Sequence, residues 1–161
     1  MIDIAPATPA DLPDIHALIR ALAEYEKLAA ICTGTREALG EALFGAHPAA
    51  DVLVARVDGA VAGFALFFPT FSTFLAQRGL WLEDLFVVPA MRGRGVGRAL
   101  LAAVAGVARQ RRCGRLEWAV LDWNAPAIGF YEGLGATLMP EWRLARVTGE
   151  RIARIAASSL R

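Results

Sequence analysis

A mixed α/β fold, a single sheet flanked by helices, is what this 161-residue chain predicts, and three observations carry the prediction. Residues 80–88, LWLEDLFVV, are rich in Leu, Val and aromatics and end at Pro89, as a buried strand does. A loop of alternating Arg and Gly over 92–97 follows, and Arg98-Ala-Leu-Leu-Ala-Ala-Val then opens a helix. Upstream, Asp58-Gly59 joins two apolar runs as a hairpin turn would. The order is hairpin, strand, helix, strand, helix, strand, a mixed α/β arrangement around a single sheet.

Each element has its own signal. Residues 2–4 read as a short opening strand before a turn through Pro6 and Pro9. A helix runs over 11–26, with Ile15, Leu18, Ile19 and Leu22 at helical spacing. Thr35 caps a second helix to Phe44, whose Glu37 and Glu41 suit its early turns. Strands are expected over 51–57 and 61–68, and then a loop over 69–79 whose Phe71 and Phe74 lie near a ligand mouth or pack as a lid. The helix after the glycine loop runs to about Arg112, and Gly114 suits its C-terminal cap. A strand over 115–121, a short helix over 127–134, a further strand over 141–147 and a terminal helix capped by Thr148 complete the chain. No repeat or linker interrupts it, so residues 1–161 are expected to form one domain.

Composition narrows the possibilities. The longest apolar runs fall far short of about 20 residues, so no membrane span is expected. Met1-Ile-Asp-Ile lacks the basic start and apolar core of an export signal, and the cytoplasm is the expected location. Cys32 and Cys113 have no metal-ligand spacing, and no metal is expected. The net charge of +1 hides a division: residues 1–91 carry 5 Lys and Arg against 11 Asp and Glu, and residues 92–161 carry 12 against 5. Seven arginines lie between Arg92 and Arg115, beside the glycine loop, without the interleaved aromatics of a single-strand-binding surface. A compact phosphorylated ligand is expected there rather than nucleic acid, and the acidic first half leaves room for a cationic second ligand.

The glycine loop is the strongest motif. Gly93, Gly95 and Gly97 leave backbone N–H groups uncovered at the positive end of a helix dipole, and Arg92, Arg94 and Arg98 surround them, which makes an anion cradle. It is not a dinucleotide fingerprint, since Arg98 occupies the place of the third glycine, and no Gly-Lys-Ser/Thr follows as in a Walker loop. A merely tight turn is the bland reading. Glu83 and Asp84 interrupt an apolar strand, where a carboxylate is costly unless it is used or partnered. Strand neighbours face opposite sides, so both acids reach one cleft only if a bulge re-aims one. Buried beside aromatics, such an acid has a raised pKa and can take a proton from an amine; the alternative is a pairing with arginine that serves only the fold. Tyr131 could protonate a departing thiolate or be a core aromatic. Trp81, Trp118, Trp123 and Trp142 read as core or rim. His16 and His47 have no constellation around them, and Cys113 has no nearby His to make it an acyl-accepting nucleophile.

The pattern Arg92-x-x-Gly95-x-Gly97 between strand and helix resembles the pyrophosphate loop of the GNAT acetyltransferase superfamily. Leu-Glu83-Asp84-Leu-Phe-Val, Trp123-Asn124-x-Pro126-x-x-x-Phe130-Tyr131, Leu22-Ala-x-Tyr25-Glu26 and Trp142-Arg-Leu extend the resemblance over nearly the whole chain, toward its spermidine/spermine (diamine) acetyltransferase branch. The resemblance implies the GNAT fold, a single mixed, mostly antiparallel sheet flanked by helices, with central strands that splay apart. It implies that Leu85, Phe86 and Val87 pair their backbone with the pantetheine arm of acetyl-CoA. By the same token Arg92, Gly93, Arg94, Gly95, Val96, Gly97 and Arg98 hold the pyrophosphate, and Asn124 and Ala127 touch the cofactor beyond it. Tyr131 is then the general acid on the CoA sulfur, and Glu83 takes the amine proton through water. Glu26, Asp84 and Trp142 bind the cationic substrate, and the protein is a homodimer. Ser72 and Phe74 stand where the polyamine enzymes carry an Asp and a Trp, which widens the implied acceptor from polyamines to small mono-amines and amino acids.

The expected activity is therefore acetyl-CoA-dependent N-acetylation of a small primary amine, by direct attack in a ternary complex. An aliphatic amine with a pKa of about 10 must lose a proton before it attacks a thioester. An acidic cleft attracts the cation, a desolvated Glu83 removes the proton, and alignment of both substrates provides much of the acceleration. An acyl-CoA sensor without turnover, and a protein lysine or N-terminal acetyltransferase, are the alternatives.

Overall fold

The computed structural model describes residues 1–158. Five strands form one sheet in chain order: β1 (Ile2–Pro6), β2 (Asp51–Val57), β3 (Ala60–Ser72), β4 (Gln77–Val87) and β5 (Arg115–Glu117). The first four pair antiparallel, and β4 and β5 pair in parallel. The helices are α1 (Leu12–Tyr25), α2 (Arg36–Phe44), α3 (Val96–Gln110), α4 (Ala125–Glu132) and α5 (Glu150–Ser158). The sheet and α1 to α3 belong to one compact unit, Met1–Ala119, and α4 and α5 to a second, Val120–Arg161. No helix among the described residues is long and apolar enough to cross a membrane.

Alternation along the strands decides which helix each face meets. Val52, Val54, Phe64, Leu66 and Phe86 pack with Ile15 and Leu18 of α1 and Leu43 of α2 in one buried cluster. The opposite face meets α3, whose Leu100, Leu101 and Val104 are buried. Arg111 at the end of α3 lies over the Phe67 ring, 5.9 Å from its centre, which fixes Phe67 on that side.

Local chemistry sets the ends of the helices. Ahead of α1, the Thr8 N–H and hydroxyl both donate to Asp11, at 2.8 and 2.9 Å, and Asp11 also pairs with Arg56 of β2. At the other end, Lys27 takes a left-handed φ of 61°, and the Leu28 N–H reaches back to the Ala23 carbonyl at 2.7 Å while Lys27 N–H reaches Glu24 at 3.1 Å. That is the Schellman closure, made here without glycine. Thr35 accepts the Ala38 N–H at 3.1 Å and caps α2 as expected. Asp58 and Gly59, both with positive φ, make the β2–β3 hairpin turn.

Four expectations are corrected. The expected loop over 69–79 is mostly sheet: β3 and β4 pair as far as Ser72↔Gln77, leaving a four-residue tip on which Phe74 is 99% exposed. Gly79 permits this, because a Cβ there would lie 2.6 Å from Thr70 Oγ1 on one side and 3.2 Å from Arg115 Cγ on the other. Strand β5 stops at Glu117 instead of Leu121. Residues 141–147 pair with no strand among the described residues, although the β4 edge beyond Trp81 is open: an extended segment becomes a strand only when its backbone meets a ladder in register. Helix α5 starts at Glu150, after Gly149 with φ 57°, and not at a Thr148 cap.

Candidate active site

The acid pair lies at a β-bulge. Phe67 pairs with Leu82 and Leu66 with Asp84, so Glu83 is an extra residue with no partner on β3. Leu82, opposite Phe67, faces α3; Asp84, opposite Leu66, faces α1. Glu83 also lies on the α1 side, where its Oε2 accepts the Trp81 indole N–H at 2.8 Å. A cavity of about 300 Å³ opens there, with Glu26, Glu83 and Asp84 in its wall and an apolar lining that includes Leu22, Leu28 and Ile31. The bulge that the sequence made a condition for bringing both acids to one cleft is present.

Within this cavity the acids differ. Burial pushes the Asp84 carboxyl up to about 6, helped by the negative charges of Glu83 and then Glu26. Burial also raises the Glu26 carboxyl. Glu83 is exposed. The desolvated acid expected at Glu83 is therefore found at Asp84, because the bulged residue is displaced outward while its successor returns to the inner face of the strand.

The bulge also marks where β4 leaves β5. Their pairing covers only Gly79↔Arg115, Leu80↔Leu116 and Trp81↔Glu117, and β4 then runs on to Val87. The edge carrying Leu85, Phe86 and Val87 has no strand partner beyond Trp81 among the described residues. This is the expected splay. Phe86 and Val87 have buried side chains, so what the edge offers a ligand is its backbone.

The glycine loop takes the expected form. A short 3-10 turn over Pro89–Met91 leads into Gly93 and Gly95, with φ of 72° and 85°, and Gly95 is the N-cap of α3. Nothing lies within 4 Å of a Cβ built on either glycine, so both border open space. The first intrahelical bond runs from Ala99 N–H to Gly95 O at 2.9 Å, which leaves the Val96, Gly97 and Arg98 N–H groups at the positive end of the helix without an intrahelical acceptor. Arg94 and Arg98 are exposed beside them. This donor set fits a diphosphate. The Arg92 side chain instead turns back, its Nε–H donating to the Val87 carbonyl at 3.0 Å.

In the second unit, Asn124 is buried and caps α4, its Oδ1 accepting the Ala127 N–H at 3.3 Å. Tyr131 is 9% exposed, with its ring 5.2 Å from that of Phe130. Trp142 is 72% exposed, in the chain between α4 and α5.

Sequence reasoning missed the cavity wall formed by Leu28, Ile31 and Cys32. The available signal was the apolar run Leu28-Ala-Ala-Ile31 just after the helix, too far in the chain to belong to α1 and too apolar for a solvated linker.

A strand edge opened by splay, a glycine-capped helix start after it and an acid-walled cavity beside it are the features that an acyltransferase reading of the sequence requires. The model of the Acetyltransferase (GNAT) family matches residues 17–136, and the chain belongs to that family. It is 38% identical to the thialysine N-epsilon-acetyltransferase of Bos taurus, over 95% of this chain and 96% of that protein. It is 34% identical to the L-ornithine N5-acetyltransferase of Arabidopsis thaliana, over 92% of this chain and 85% of that one. Among solved structures, an integron cassette protein from the mobile metagenome of V. cholerae superposes with a TM-score of 0.80 and 25% identity, covering 96% of this chain and 97% of that chain.

Proposed function

We propose that this N-acetyltransferase transfers acetyl from acetyl-CoA to a terminal primary amine on a short aliphatic chain, of the diamine or basic amino-acid type. The observation that carries the reading is the convergence of Glu26, Glu83 and Asp84 on one apolar-lined cavity beside the open edge of β4. Carboxylates attract the ammonium, and the apolar wall receives methylenes. Relatives named for thialysine and ornithine, both amino acids with a side-chain amine, support the same acceptor class.

Acetyl-CoA supplies the activated acyl group as a thioester. Leu85, Phe86 and Val87 offer it an extended backbone edge, and Gly93, Gly95, Val96, Gly97 and Arg98 a diphosphate cradle backed by the Arg94 cation. A backbone N–H on that edge is suited to polarising the carbonyl. Asp84 and Glu26 hold the ammonium, whose charge offsets the cost of keeping Asp84 ionised. Glu83 has one oxygen committed to the Trp81 indole and the other left to accept the amine proton through water. Tyr131 is assigned the proton for the departing sulfur. Asn124 orders the start of α4 through Ala127, and Trp142 is assigned to acceptor binding. The whole chain acts as one catalytic domain, as a cytoplasmic homodimer.

The test is CoA release across ornithine, lysine, thialysine, putrescine, spermidine and a lysine peptide, for the native protein and for Glu83→Gln and Tyr131→Phe. We expect turnover on a small amine, and each variant to lower kcat by about 100-fold, within the usual span for a lost acid or base, without a matching rise in acetyl-CoA KM. Tight acetyl-CoA binding with no turnover on any acceptor would make the protein a sensor. Near-native kcat in Tyr131→Phe would remove Tyr131 from the chemistry.

A further inference from the structure

Arg92 opens the glycine loop, and its place in the motif assigns it to the diphosphate. Its side chain is engaged elsewhere. The Nε–H donates to the Val87 carbonyl at the end of β4. The guanidinium carbon lies 4.7 Å from the centre of the Tyr25 ring and 5.4 Å from that of Phe86, within cation–π range of both. Arg94, two residues on, donates to the Met91 sulfur at 3.6 Å.

The residues gripped by Arg92 adjoin the acids of the cavity. Tyr25 is the last residue of α1, and the next, Glu26, lines the cavity from the helix side. Phe86 lies two residues beyond Asp84 on the same face of β4, and Asp84 lines the cavity from the strand side. One guanidinium therefore bridges the two walls whose carboxylates face the acceptor.

We propose that Arg92 is a positioning residue that clamps the end of α1 to the end of β4, and so sets the spacing of Glu26 and Asp84 across the acceptor cavity. Its guanidinium tunes amine recognition while the loop backbone and Arg94 serve the diphosphate. The proposal rests on the amine-acetylating reading of the cavity, but the clamp itself is a claim about geometry and has a readout independent of turnover. A planar fork that donates through Nε and stacks on rings is specific to arginine. Lysine at this position keeps the charge and loses the clamp.

The experiment compares Arg92→Lys, Arg92→Ala, Tyr25→Leu, the Arg92→Ala/Tyr25→Leu double variant and Arg94→Ala, after circular dichroism has shown each to be folded. Calorimetry gives the acetyl-CoA Kd, steady-state kinetics gives the amine KM, and a small thiol reagent on a Cys113→Ser background gives the labelling rate of Cys32 in the cavity wall. The lost cation–π contacts and charged hydrogen bond are together worth more than tenfold, and only part of that loss reaches the spacing of the two carboxylates, so both Arg92 variants should raise amine KM by about tenfold. Both should speed Cys32 labelling severalfold and change acetyl-CoA Kd less than threefold. The double variant should be no worse than the more affected single variant, because the two substitutions break one contact. Arg94→Ala should show the opposite split, with weaker acetyl-CoA binding and native labelling. Arg92→Lys behaving as the native protein, additive effects of Tyr25 and Arg92, or a Kd rise without faster labelling would each overturn the clamp and return Arg92 to the diphosphate. If the native protein acetylates none of the amines, the amine reading fails while the labelling rates still decide the clamp.

Discussion

Asp84→Asn should make the protein more stable and less active, and the gain should depend on pH. The Asp84 carboxyl stands at about 6 in the folded protein against an ordinary 3.8. Its folded pKa lies above its unfolded one, so its contribution to stability is fully present below pH 3.8 and is lost as pH rises through about 6. A displacement of roughly two units corresponds to about 3 kcal/mol of destabilisation at pH 8, and relaxation around the cavity reduces this to about 1–3 kcal/mol. Asn matches the shape and never ionises. In a chain of this size each kcal/mol moves Tm by about 2–4 °C, so Asp84→Asn should melt about 3–10 °C higher at pH 8, and this gap should narrow toward pH 5. Thermal melts of the ligand-free protein at the two pH values are the assay. In kinetics, the native kcat/KM should fall on the acid side of about pH 6, and Asp84→Asn should raise amine KM. A lower Tm at pH 8, or an equal gap at both pH values, would refute the account of Asp84 as a carboxylate held charged against its environment.

Two further outcomes follow from the geometry. Gly95→Ala places a Cβ at φ 85° and into the open space over the first turn of α3, so Tm should fall by a few degrees, reflecting about 1–2 kcal/mol of backbone strain, and the acetyl-CoA Kd measured by calorimetry should rise at least tenfold. Asp11→Ala removes the acceptor of Thr8 and the partner of Arg56 from a buried site and should cost about 2–4 kcal/mol in urea unfolding. The Thr8 N–H is the main cause that holds the Asp11 carboxyl low, ahead of Arg56, so this loss should be full above pH 3.8 and shrink as pH falls below it.

Features set by local chemistry were legible in the sequence. The Asp58-Gly59 turn, the Thr35 cap, the glycine loop and the helix after it depend on residues close in the chain, and the structure places each as read. Features set by pairing were not. Residues 69–79 carry Pro69 and Gly79, both strand breakers by composition, yet β3 and β4 continue through them because Gly79 fits between Thr70 and Arg115. Residues 141–147 read as a strand in the sequence and join no ladder among the described residues. All three acids stand out in the sequence, but which of them is buried depends on where the bulge falls, and that is decided by the register of β3 against β4. The Leu28–Cys32 wall follows from a left-handed residue at Lys27, where no glycine announces it.

The bulge at Glu83 joins the two halves of the proposed chemistry. Glu83 is the residue that the ladder does not need: without it, Leu82 would still face α3 and Asp84 would still face α1, in ordinary alternation. Its presence adds a second acid to the cavity side, held by the Trp81 indole. A bulge also sharpens local twist, and the β4–β5 pairing ends at Trp81↔Glu117, two residues before it. The inserted acid and the open strand edge thus have one structural origin. That explains why the carboxylates and the backbone edge assigned to the donor lie next to each other on β4, and why the acid pair stands in the middle of an apolar strand and not at its end.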